Sequence, residues 1–131
     1  MVKELLQYFL DQHYTIIGVV GVDPYALPPF LANDGFGDQR TKRPDILAFD
    51  TVHRCQVLGI VKTAADNLES VQALTEYDVF FDHKSKESEQ PSRVCFILPE
   101  SCIAEFTTII THYIHRDYWQ RLMIVRSKEA D

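Results

Sequence analysis

No apolar run in this chain approaches the ~18 to 20 residues needed to cross a bilayer. Its opening, Met-Val-Lys-Glu-Leu-Leu, carries a lysine and a glutamate where a signal peptide would build its apolar core. These two absences point to a cytoplasmic protein with no membrane partner. Cysteine is scarce as well. Cys55, Cys95 and Cys102 are odd in number and show no Cys-x-x-Cys spacing. That argues against a disulfide framework or a cysteine zinc site, and for small buried hydrophobes in a reducing compartment. There is no Gly-rich phosphate loop, nucleophile elbow or internal repeat. Positive charge is in deficit too. A net charge of −6 weighs against extensive non-specific nucleic-acid binding, which needs several cations on phosphates.

What is present fits one globular domain over residues 1–131, with 46% hydrophobic residues to build a core. The charge is unevenly spread. Arg40, Lys42 and Arg43 form one basic cluster, and His112, His115, Arg116, Arg121 and Arg126 form another. Acids gather at Glu76, Asp78, Asp82, Glu87 and Glu89. A local basic face is compatible with that distribution.

Residues 2–12 place Val2, Leu5, Leu6, Phe9 and Leu10 on the stripe of an amphipathic helix. Tyr14 to Val20, rich in β-branched residues, predicts a strand ending at Gly21. The stretch 22–42 holds Pro24, Pro28, Pro29, Gly35 and Gly37, with Tyr25, Leu27, Phe30, Leu31 and Phe36 among them. Loops of that length are usually functional or disordered. The apolar content favours an ordered extension, a lid, or a surface for a protein partner or a second copy of the chain.

Two short strands follow, Asp45 to Asp50 and Val57 to Lys62, separated by the polar turn Asp50-Thr51-Val52-His53-Arg54. Alternation places Asp45, Leu47 and Phe49 on one face, and Leu58, Ile60 and Lys62 on one face of the neighbour. As antiparallel neighbours, the strands bring Asp45 and Lys62 to one edge. A lysine closing an otherwise apolar strand must be paired or used. A second helix is predicted from Ala65 to about Phe80, with Asp66 and Glu69 in capping-box spacing. Its stripe of Leu68, Val71, Gln72 and Thr75 puts the Gln72 amide on a face expected to be buried. An exposed connector, 83–93, leads to a buried strand at Val94 to Leu98. A helix with Ile103, Phe106, Ile110, Tyr113 and Ile114 follows, and then a strand from Leu122 to Val125. His112 and His115 have helical spacing, but no third metal ligand lies near them in sequence.

Pro44-Asp45 and the run Leu58-Gly59-Ile60-Val61-Lys62-Thr63 resemble the PD-(D/E)xK, or restriction-endonuclease-like, nuclease superfamily. The resemblance implies an α/β fold with an αβββαβ core, a mixed sheet flanked by helices, here with one further helix and strand. It also implies a site in which two acids hold Mg²⁺ and a lysine stabilises developing charge. Asp45 and Lys62 take two of those roles. Gln72 matches the glutamine that several relatives place near the scissile phosphate, although Tyr77 stands one place too far on for their Gln-x-x-x-Tyr form. Glu4, in the first helix, is the second candidate metal ligand beside Asp45. Ile60 departs from the pattern, because it occupies the place of the second acid.

Three readings stay open at this stage. The first is a nuclease-like domain with impaired chemistry that acts on or binds DNA or another nucleic acid. Weak or absent Mg²⁺ binding and an Asp45–Lys62 salt bridge are expected in that case. The second is an active endonuclease in which Glu4, Asp50, Asp66 or Glu69 replaces the missing acid. The third is a non-enzymatic interaction subunit that uses the 22–42 loop.

Overall fold

A computed structural model describes residues 1–31, 42–83 and 90–129. The order of helices and strands is the one predicted, with a 3₁₀ turn added before the last strand: α1 (Val2–Asp11), β1 (Thr15–Val19), β2 (Ile46–Asp50), β3 (Cys55–Val61), α2 (Val71–Asp82), β4 (Arg93–Pro99), α3 (Glu100–Tyr113), the 3₁₀ turn (Arg116–Arg121) and β5 (Leu122–Ser127). The fold is α/β, with helices on both faces of a five-stranded mixed sheet in the order β1-β2-β3-β4-β5. The β1–β2 and β2–β3 pairs are antiparallel; β3–β4 and β4–β5 are parallel. The antiparallel pairing of β2 with β3 is the hairpin that their short polar turn predicts. No helix among the described residues is long and apolar enough to cross a membrane.

Period-two alternation divides the core between the two faces. On one side Leu5, Leu6 and Phe9 of α1 pack on Ile46, Ala48, Val57, Cys95 and Ile97. On the other, Ala73, Tyr77 and Phe80 of α2 and Phe106 and Ile110 of α3 pack on Leu47, Leu58, Ile60 and Phe96. The rings of Phe96 and Phe106 lie 4.7 Å apart, and Tyr77 meets both edge-on. β4 carries this load on both faces, with Val94 to Leu98 all at 0% exposure. Gly59 is required by the packing of α1. A Cβ there would stand 2.9 Å from Leu5 Cδ2 and 3.0 Å from Phe9 Cζ, inside van der Waals contact.

Several boundaries differ from expectation, each for a physical reason. α2 begins at Val71, because the Ser70 hydroxyl accepts from the Ala73 amide and caps the helix there. The Asp66 and Glu69 pair is therefore not a capping box. Asp66 Oδ2 instead accepts from the Thr63 amide and hydroxyl in the preceding turn. The later start rotates the helix, so Ala73, Tyr77 and Phe80 face the core while Val71 and Gln72 are exposed. In α3, Ile109 is buried and Tyr113 is exposed, donating its hydroxyl to Glu69. β1 bulges between Ile16 and Gly18. The expectations for 22–42 and 83–93 fall partly on residues 32–41 and 84–89, which lie outside the described residues. At the near end of the first of these stretches, Leu27 and Phe30 are 61% and 58% exposed.

Candidate active site

The parallel strands β3 and β4 run the same way, and α2 and α3 start beyond their carboxyl ends. In open α/β sheets that edge is where ligands bind. Asp45 and Lys62 both come to it. Asp45 stands just before β2, with its amide on the Gly59 carbonyl at 2.9 Å and its carbonyl accepting from the Val20 amide at 2.9 Å. Bracketed on both sides, its backbone has little freedom. Lys62 stands just after β3, its amide donating to the Ile97 carbonyl of β4 at 3.0 Å. Ile46 pairs with Gly59, so the ladder continues to Asp45 opposite Ile60. Asp45, Ile60 and Lys62 then share the α2 face, as alternation predicts. Ile60 is 2% exposed in the core that includes Leu68, as expected, although Val71, the other expected neighbour, is not in that core.

The side chain of Lys62 does not pair with Asp45. Its Nζ donates to Glu76 Oε1 at 2.8 Å, with the two side chains 11% and 20% exposed, and lies 5.8 Å over the Tyr77 ring. This corrects the expected Asp45–Lys62 bridge. Glu76 lies one turn after Gln72 on α2, one place before buried Tyr77. That position brings its carboxylate from the helix layer down to the strand edge. Sequence reasoning missed it as a site residue; the available signal was a Gln-x-x-x-Glu spacing adjoining the apolar row of α2.

Asp45 Oδ2 accepts from the Val61 amide at 2.8 Å. Its carboxyl titrates above the usual range. Burial is the main cause, the Val61 amide and Lys62 oppose it, and the charges of Glu76 and Asp66 add to it. Asp45 is thus a carboxylate held in a partly dry place next to other carboxylates. Such a position is unfavourable for folding and is characteristic of functional sites.

Two cavities meet at Gln72 and Glu76. One, of about 400 Å³, is bounded by Lys62, Asp66, Asn67 and Ser70 as well as those two. The other, of about 340 Å³, reaches past Asp45 to Phe30, Lys42 and Arg43. Gln72, expected on a buried face, is instead exposed and stands where the two cavities adjoin. The structure therefore gathers Asp45, Lys62, Gln72 and Glu76.

The remaining acids are elsewhere or engaged. Glu4 faces the end of β5, where its oxygens accept from the Ser127 hydroxyl at 2.6 Å and the Lys128 amide at 2.9 Å. These two bonds, the Ser127 one foremost, hold its pKa below the usual value. It lines a different cavity, with Met1, Val22 and Glu129. Asp50 ends β2 at the opposite end of the hairpin. It accepts from the Val52 and His53 amides and the His53 ring, with Arg93 at 3.5 Å. Glu69 takes the Tyr113 hydroxyl at 2.7 Å. His112 and His115 are exposed, and His115 Nδ1 accepts from the Asp117 amide. Among the described residues no group of three or more His, Cys, Asp or Glu side chains is arranged to hold a metal ion. Comparison with protein-family models, curated proteins and solved structures gave no match.

Proposed function

We propose that this chain is a metal-dependent nuclease built on a PD-(D/E)xK-type core, with Glu76 supplying the second acid from α2. The observation that carries the reading is the Lys62–Glu76 contact beside Asp45. Two carboxylates and an ammonium stand together at the carboxyl edge of the parallel strands, although the usual place of the second acid is filled by Ile60. The element order and mixed sheet are those that the motif resemblance implies. The expectation of impaired chemistry rested on Asp45 standing alone, and Glu76 is the acid this reading sets against it.

The donor set fits a hard divalent ion. Mg²⁺ keeps several waters and is commonly held through one or two carboxylates, so Asp45 and Glu76 are its ligands in this reading. A bound ion would polarise a phosphate and lower the pKa of the attacking water. The chain's own groups do the rest. The Val61 amide fixes one oxygen of Asp45 and thereby orients the other. Lys62 carries its charge to the point where negative charge grows on the phosphate. Gln72, at the junction of the cavities, offers an amide to hold a phosphodiester in line.

The test is incubation of supercoiled and single-stranded DNA with Mg²⁺ or Mn²⁺, alongside Asp45→Ala, Glu76→Ala and Lys62→Ala. Cleavage by the wild type and its loss in all three variants is the expected result. Absence of cleavage, together with no calorimetric signal for Mn²⁺, would overturn the reading.

A further inference from the structure

Beside the carboxylate pair lies a surface of different chemistry. Phe30 is 58% exposed, and the Arg43 guanidinium sits over its ring, 4.7 Å from the centroid. This stacked pair shares the cavity of about 340 Å³ with Lys42, Asp45, Gln72 and Glu76. The guanidinium covers one side of the ring, and more than half of the residue stays open to solvent. Here the ring is also held in place. Leu31, the next residue, is buried and bridges to Lys42 through reciprocal backbone hydrogen bonds. Arg43 follows Lys42 directly, and Pro44 joins it to Asp45. The stack is thus fixed to the same backbone that positions the carboxylate, with one residue between Arg43 and Asp45.

An aromatic face, a planar cation and a neighbouring group that handles phosphate are together what a nucleotide with an unstacked base requires. Bases stack on phenylalanine rings and on guanidinium planes, and every base has such a face. The cation can meanwhile meet a backbone phosphate. A duplex offers no free base faces within its stack. It is held mainly by many cations along two phosphate backbones, and a chain of net charge −6 is poorly supplied with them.

We infer that Phe30 and Arg43 form a base-stacking subsite that directs single-stranded nucleic acid into the cavity beside Asp45, Gln72 and Glu76. The inference rests on the nuclease reading for its substrate, but binding tests it without cleavage.

The full chain is titrated in EDTA with a fluorescein-labelled single-stranded oligonucleotide and with the duplex of the same sequence. The single strand should bind at least about tenfold more tightly, and Phe30→Ala should weaken it about tenfold, the scale of one lost stacking contact. Phe30→Trp should keep the affinity, with indole fluorescence quenched on binding. Arg43→Ala should lower the salt slope by about 0.7, one single-strand phosphate contact. Unchanged affinity in Phe30→Ala, or a preference for the duplex, overturns the inference. Phe30 is exposed, so its variants should keep the wild-type melting temperature. The two readings fail separately. Metal-dependent cleavage lost in Asp45→Ala, with Phe30→Ala binding normally, ends the subsite and keeps the nuclease. Phe30-dependent binding without any cleavage and without a calorimetric signal for Mn²⁺ supports the subsite and ends the nuclease.

Discussion

Lys62 and Glu76 meet at 2.8 Å across two layers of the fold, one on the strand edge and the other on α2. Neither is far from water, yet neither is fully in it. Removing one partner leaves a partly buried charge whose compensation is gone. Lys62→Met and Glu76→Gln should each destabilise the protein. The double variant should be less destabilised than the sum, with a coupling of about 0.5 to 3 kcal/mol. A double-mutant cycle from urea melts measures it. Additive effects would show that the contact contributes little in solution.

Asp45 links the stability of the fold to pH. Its folded-state pKa is raised, mainly by burial. The folded protein therefore binds its proton more tightly than the unfolded chain does. The cost of holding the charged form is absent below the unfolded pKa of about 3.9 and grows as pH rises through the folded value. Asp45→Asn, which can still accept from the Val61 amide, should therefore raise the melting temperature at pH 7. The gain should vanish near pH 3. A variant less stable than the wild type at pH 7 would contradict the assignment.

The turn at the other end of the hairpin behaves oppositely. Burial alone would raise the Asp50 pKa, but hydrogen bonds from the His53 ring, the His53 amide and the Val52 amide hold it below the usual range. Its side chain is 6% exposed. Asp50→Ala removes the acceptor from those donors, which water can partly replace in an exposed turn, and should cost about 1 to 2 kcal/mol. In the wild type the same bonds give stability above the unfolded carboxylate pKa, lost as pH falls through the lower folded value. Urea melts at pH 7 and at pH 3 compare the two proteins, and the difference between them should shrink at the lower pH.

Ile60→Glu places a carboxylate at a site 2% exposed, in the ladder position opposite Asp45. Without metal it should destabilise by several kcal/mol through desolvation. Thermal melts in EDTA check this. A variant at least as stable as the wild type there would mean that the strand accepts an acid in this place.

Much of the frame was legible because strands write their alternation directly into sequence. Asp45, Ile60 and Lys62 fall on one face by counting alone, and the turn between β2 and β3 leaves one pairing direction open. The partner of Lys62 was not legible. Its identity depends on the rotational phase of α2, and that phase is set by the Ser70 cap. Asp66 and Glu69 present the same cap spacing a few residues earlier, so a helix begun at Ala65 sends Gln72 inward and overlooks Glu76. Glu4 was misleading for a related reason. A carboxylate in a first helix looks available until the far end of the chain, at Ser127 and Lys128, takes both its oxygens.

The burial of β4 gives the protein a built-in reporter. Val94 to Leu98 are covered on both faces and flanked by β3 and β5, so their amides should trade protons for deuterons only when the whole domain opens. A ligand that binds the folded form alone slows that opening equilibrium by the factor 1 + [L]/Kd. On the proposed reading, manganese or an oligonucleotide held beside Asp45 and Glu76 should therefore be counted, quantitatively, by deuterium uptake at a strand lying beneath them.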